Sequence, residues 1–265
     1  MQPETTPSAA FKSGDLATAI QLSAQEVKRH PKEPQYRAFL AELCCMAGDY
    51  ERADQQLQTL LTLNPDLLLT INTWRQLIRS AYARRNTYEN ASAPDLLAGS
   101  SPAVESALSL LLAKINGDAE TVQDILANRE QQTESPTFTV NGASENSLRD
   151  LDDINAFVFE FLSPNGDYYW VDALHIEKLT LSKPKRTLDL LWRECDLTLT
   201  NGKSGTLFLP TIYPEVIDDN TALLGRSTHW QNHYGCEVGV GLREFLVGEH
   251  CFAVFDLESL EQVSV

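Results

Sequence analysis

The chain predicts an α+β protein: an N-terminal helical repeat domain, then a mainly antiparallel β domain built as a small curled sheet or a barrel. Three observations carry that expectation. Two early stretches match each other at a fixed offset. A polar segment punctuated by Pro and Gly follows them. Beyond it, β-branched and aromatic runs alternate with turn signals. The expected units are residues 1–130, a linker over 131–148, and residues 149–265.

The repeat comes from KSGDLATAIQLSAQEVKRHP (Lys12–Pro31) and MAGDYERADQQLQTLLTLNP (Met46–Pro65). Gly14 aligns with Gly48, Asp15 with Asp49, Ala19 with Ala53 and Pro31 with Pro65, each pair 34 residues apart. That is the period of the tetratricopeptide repeat, a helix–turn–helix unit. Gly tolerates the left-handed position that ends one helix, and Asp accepts from the free N–H groups that begin the next. The alanine marks a close helix approach, and the proline ends the second helix. Leu67–Arg85 predicts a further helix, with Leu67, Ile71, Trp74, Leu77, Ile78 and Ala81 along one stripe. Glu89–Pro102 predicts a loop with a short helical turn. Asn116-Gly117-Asp118-Ala119 echoes the Gly-Asp junction and leads into a helical stretch, Glu120–Arg129.

After the linker, Ala156–Leu162 and Tyr168–Leu181 predict strands around the turn Ser163–Asp167. Cys195–Thr200 and Gly205–Pro210 flank Asn201-Gly202, a hairpin signal. Arg243–Gly248 and Cys251–Leu257 predict a further pair around Glu249-His250.

Composition narrows the function. With 37 acidic and 21 basic residues the formal charge is −16, which disfavours nucleic acid and anionic membrane surfaces. The opening residues lack a basic segment followed by an apolar run, and no stretch approaches eighteen apolar residues. Five scattered cysteines do not suggest a disulfide framework. A cytoplasmic protein is expected, with neither nucleic acid nor membrane as a partner.

Several motifs invite chemistry. His229, His233 and Cys236 are spaced H-x3-H-x2-C, with His250 and Cys251 following. The alternative function is therefore a metal-dependent hydrolase using His229, His233 and Cys236. No GxSxG, HExxH, P-loop or complete GxGxxG pattern is present. Gly239-Val240-Gly241 reads as a turn, and Gly202–Gly205 as a hairpin loop. Asp152-Asp153 and Asp218-Asp219 read as solvated loop carboxylates. The expected assignment is no metal, no cofactor and no catalytic residue. Lys178, Lys183, Lys185 and Arg186 form a basic cluster, read as a solvated strand end or as a link to an acidic surface.

Stacked helix pairs present a concave face suited to a peptide or helix. The 34-residue register turns Gln35, Ala38, Glu42 and Cys45 toward that face, and Asn72, Gln76 and Arg79 likewise from the next helix. Leu40, Leu57, Leu60 and Trp74 are expected between helices.

Behind the repeat, RTLDLLWRECDLTL (Arg186–Leu199), LFLPTIYP (Leu207–Pro214) and LGRSTHW (Leu224–Trp230) occur in order. With them the chain resembles the ImpE family, also called TagJ, an accessory family of bacterial type VI secretion systems. The resemblance implies a non-enzymatic cytoplasmic adaptor. It implies two partners: a helix of the small contractile-sheath subunit, and the ClpV-type ATPase that recycles contracted sheath. It also leads one to expect an acidic residue where His229 stands.

Overall fold

The computed structural model describes residues 6–132, 136–143, 145–215 and 219–263. Seven helices come first: α1 (Pro7–Ser13), α2 (Leu16–Arg29), α3 (Pro34–Met46), α4 (Tyr50–Leu63), α5 (Leu68–Asn90), α6 (Pro102–Asn116) and α7 (Ala119–Gln132). The Gly-Asp junctions act as the spacing demands. Gly14, Gly48 and Gly117 have φ of 92°, 69° and 69°. Asp15, Asp49 and Asp118 accept from the backbone N–H groups of Thr18, Arg52 and Thr121 at 2.9, 3.2 and 3.1 Å. Ala19 and Ala53 are fully buried where helices cross.

The strands are β1 (Asp95–Leu96), β2 (Thr137–Val140), β3 (Glu145–Asp150), β4 (Val158–Leu162), β5 (Tyr168–Asp172), β6 (Ile176–Leu181), β7 (Trp192–Leu199), β8 (Ser204–Pro210), β9 (Thr228–His233), β10 (Cys236–Gly241), β11 (Glu244–Val247), β12 (His250–Ala253) and β13 (Ser259–Gln262). Eleven form one sheet in the order β1-β5-β4-β8-β7-β6-β13-β2-β3-β11-β12, and β9 and β10 pair separately. Every pairing is antiparallel except β1 with β5. The sheet curls into a half-barrel whose inner face holds Phe138, Phe159, Phe161, Leu197, Phe245 and Leu260.

A second apolar cluster joins the helices to the sheet's other face. It runs from Leu40, Leu57 and Trp74 to Val158, Leu162, Trp170, Trp192 and Phe208. With both faces covered, β4 is buried along its whole length and shows no alternation.

Four expectations need correction. Residues 131–148, expected as a linker, hold the end of α7, all of β2 and the start of β3. The overlooked signal was Phe138 and Val140 alternating with Thr137 and Thr139, followed by Asn141-Gly142 at φ 53° and 72°. The expected loop at 89–102 starts on the last residues of α5 and ends on the first of α6; between them stands β1 in place of a helical turn, because Asp95 and Leu96 pair with Tyr169 and Trp170. The single run Tyr168–Leu181 is broken by a 3-10 turn, Ala173–His175, in which the Leu174 N–H donates to the Asp172 side chain. Finally, Gly239-Val240-Gly241 is strand, not turn. A Cβ on Gly239 would fall inside the ring of Tyr213, so the residue is needed for close approach.

Candidate functional site

The concave side of the repeat is where the β unit docks. The connection from β6 to β7 forms a strap, and its 3-10 turn Thr187–Leu190 lies against α3. Arg186 stacks over the Trp74 ring at 5.3 Å and pairs with Asp189 at 3.0 Å. Glu42 is only 8% exposed beneath this strap. Burial pushes its carboxyl up to about 7, against the opposing pull of Thr187 and Arg186.

The seven expected groove positions therefore separate. Glu42 and Cys45 are buried, Ala38 is half-buried and Gln35 is exposed beside Glu33. On α5, Asn72 and Arg79 are exposed and Gln76 is half-buried. Gln76 and Arg79 crowd Gly166, in the turn between β4 and β5. Glu42 thus meets the strap, while Gln76 and Arg79 meet a different loop. At 100° per residue, Trp74 and Gln76 point 200° apart around α5, and it is Trp74 that shares the strap with Glu42. Leu40, Leu57 and Leu60 are buried as expected. Of the basic cluster, Lys178 pairs with Glu261 and Lys183 with Glu258 inside the β unit, whereas Arg186 reaches the helices.

Next to the strap, a charged seam holds α5 to the sheet. Arg84 donates to both Glu160 oxygens at 2.8 and 3.0 Å and to the Ile212 carbonyl at 3.0 Å. Arg243 also donates to Glu160 and lies 3.1 Å from Asp150. Tyr213 donates to Asp150 at 2.7 Å, and Tyr168 donates to Glu160. Burial alone would raise the Glu160 carboxyl, but the two guanidinium groups override it and hold it at about 2. Ser80 donates to the carbonyls of Asp167 and Ser163 at 2.8 and 3.1 Å, and Tyr88 donates to Asn155 at 2.9 Å. Sequence reading missed this group. Glu160 inside an apolar strand, AFVFEFL, was the available signal, because a buried acid demands a cation.

Beyond the seam a cleft of about 410 Å³ opens between the two units. Its helical wall carries Cys45, Tyr50, Arg84 and Arg85, and its β wall carries Trp192, Ile212 and Tyr213. Two of the three sequence segments that carry the family resemblance contribute to that β wall. Arg85 donates to the Gly48 carbonyl at 2.7 Å and lies over the Tyr50 ring at 4.5 Å.

The metal candidates do not assemble. His229 and His233 lie four residues apart on β9, about 13 Å at the rise of a strand, too far to share one ion. The H-x3-H spacing would suit a helix, and these residues form a strand. Cys236 pairs across from His233, but it is fully buried, and burial pushes its thiol up to about 12. Among the described residues, no group of three or more His, Cys, Asp or Glu is placed to hold a metal. Ser227, His229 and Asp219 do come together, yet both partners lie 3.2 Å from the same nitrogen, Nε2. A catalytic triad needs the acid and the nucleophile on opposite ring nitrogens. Asp152, expected in solvent, is buried and accepts from the backbone of Ile154, Asn155 and Gly239. Asp218 lies outside the described residues.

Comparison with known proteins agrees with this architecture. Residues 142–261 match the family model described as ImpE protein, and residues 10–69 match a tetratricopeptide repeat. The chain is 28% identical over 256 residues to the type VI secretion system accessory component TagJ of Pseudomonas aeruginosa, covering 95% of this chain and 89% of that one. It also superposes on an X-ray crystal structure of a Vibrio parahaemolyticus protein with a TM-score of 0.90 and 27% identity, covering 98% of both chains.

Proposed function

We propose, from the match of residues 142–261 to the ImpE family model behind a tetratricopeptide repeat, that the chain is a non-enzymatic accessory protein of a bacterial type VI secretion system. In this reading it acts in the cytoplasm as an adaptor. It binds a helix of the small contractile-sheath subunit and assists the ClpV-type ATPase that recycles contracted sheath. The observation that carries the reading is the similarity to TagJ along 95% of the chain. It extends through both units, so it is not a likeness of repeats alone.

We assign the partner helix to the mouth of the cleft. The middle of the concave face is taken by the chain's own strap, whereas the cleft is open, with half-buried Tyr50 and Arg85 at its wall and buried Trp192 and Tyr213 closing its floor. Its volume suits one or two large side chains of a helix lying across it. Of the expected groove positions, only Cys45 lines this cleft, and it lies buried at the floor.

Size-exclusion chromatography with light scattering, on the full chain mixed with the intact small sheath subunit, tests the reading. A co-eluting complex of defined stoichiometry is expected. Separate elution of two folded proteins at concentrations of tens of micromolar would contradict it.

A further inference from the structure

We propose that Arg85 reads a carboxylate: the cleft accepts one Glu or Asp side chain of the partner helix, held by the Arg85 guanidinium beside an apolar anchor. The inference rests on the adaptor reading above and goes beyond it by naming the chemistry of the contact.

The argument starts from how this guanidinium is held. Arginine has five N–H donors in a planar fork. Arg85 spends Nη2 on the Gly48 carbonyl at 2.7 Å. Its plane is supported by Tyr50 at 4.5 Å and Tyr82 at 5.6 Å, two rings that meet edge to face 5.2 Å apart. The group is thus positioned without any acid. Among the described residues, no carboxylate comes within 4.0 Å of it, although the chain carries 37 acidic residues.

Other buried or bound arginines are used up differently. Arg84 and Arg243 are paired with carboxylates in the seam. Arg193 donates to the carbonyls of Ser182, Val254 and Leu257, and Arg226 to those of Phe11 and Lys12. Among the described residues the Arg85 guanidinium is bound to the Gly48 carbonyl and the Tyr50 ring but to no carboxylate, and the residue is half-buried at the wall of a cavity. A preorganised, partly desolvated guanidinium favours a planar anion that can accept two parallel bonds, which a carboxylate does.

The surroundings limit the ligand further. Glu89 also lines the cleft, one turn along α5, and the chain as a whole is at −16. A strongly acidic segment is therefore repelled, and a single carboxylate is preferred. Ile212, Leu223 and the buried face of Trp192 supply an apolar wall. The matching partner is an amphipathic helix with one acid and a large apolar residue three or four positions away.

The test is a calorimetric double-mutant cycle on the full chain. Synthetic helical segments of the small sheath subunit are titrated first. Each acid of the binding segment is then changed to its amide and titrated against the wild-type protein, Arg85→Gln and Arg85→Lys. Circular dichroism and thermal melts check that the variants fold. One acidic position is expected to cost tenfold or more in wild-type affinity, to cost less than twofold in Arg85→Gln, and to be partly restored in Arg85→Lys. A folded Arg85→Gln that binds every segment within twofold of wild type overturns the inference alone. Absence of binding by every segment overturns the sheath reading, and this inference with it.

Discussion

The seam and the cleft lie side by side on α5, and they treat neighbouring arginines in opposite ways. Arg84 is 13% exposed and gives its N–H groups to Glu160 and Ile212. Arg85, the next residue, points 100° away and meets two aromatic rings, one carbonyl and open space. In the seam, every charge removed from water meets an opposite charge, because an unpaired one would cost several kcal/mol. The cleft keeps a cation at the surface, where water and aromatic faces can solvate it. Matched charge marks the place that joins the two units, although Arg243 Nε is left without a hydrogen-bond partner there. Incomplete pairing marks the place left for something else.

That contrast can be broken most severely at Glu160. Glu160→Ala leaves Arg84 and Arg243 buried without their shared partner, and urea unfolding should show a loss of about 3–5 kcal/mol. A loss below about 1 kcal/mol would mean that the seam is not what joins the units. Gly239→Ala comes next. Its Cβ meets the Tyr213 ring at the edge of the seam, so a loss of about 1–3 kcal/mol is expected. Gly205→Ala, with open space around it, should stay within about 0.5 kcal/mol.

The strap gives a pH test. The Glu42 carboxyl, pushed up to about 7 in the folded chain from an ordinary 4.5, holds its proton when the unfolded chain has lost it. Its contribution to stability is therefore fully present below about pH 4.5 and declines as pH rises toward 7. Glu42→Gln should flatten that decline, giving a gain of about 1–2 kcal/mol at pH 8 and little at pH 4. Equal effects at both pH values would contradict the buried, proton-holding carboxyl. At Arg85 a modest effect is expected. Arg85→Gln should cost about 0.5–1 kcal/mol of stability, the worth of its aromatic and carbonyl contacts. A melt as damaged as that of Glu160→Ala would make Arg85 part of the seam.

Local signals carried much of the fold. The Gly-Asp junctions, buried alanines and apolar stripes of the repeat depend on neighbours within one helical turn, so spacing alone reveals them. The hairpin around Asn201-Gly202 was legible for the same reason, and the one expected around Glu249-His250 is present but turns one residue earlier, at Gly248-Glu249. Expectation failed where distant contacts decide. Asp95 and Leu96 become a strand only because β5 offers its edge. Trp74 faces the strap because the β unit folds back onto α3 and α5. Glu42 and Gln76, assigned to one face from the repeat register, meet different loops for that reason. The cleft draws on segments from across the chain, and Arg84 and Arg85 look alike until Glu160 and Gly48 have been placed beside them.

The most direct test of the central claim, that the cleft and not the concave face receives the partner, is amide hydrogen exchange of the full chain with and without the small sheath subunit. The account predicts slowed exchange at residues 45–50, 81–89 and 211–214, with 35–42 and 72–79 unchanged. Protection confined to 35–42 and 72–79, with the cleft segments exchanging as in the free protein, would contradict it.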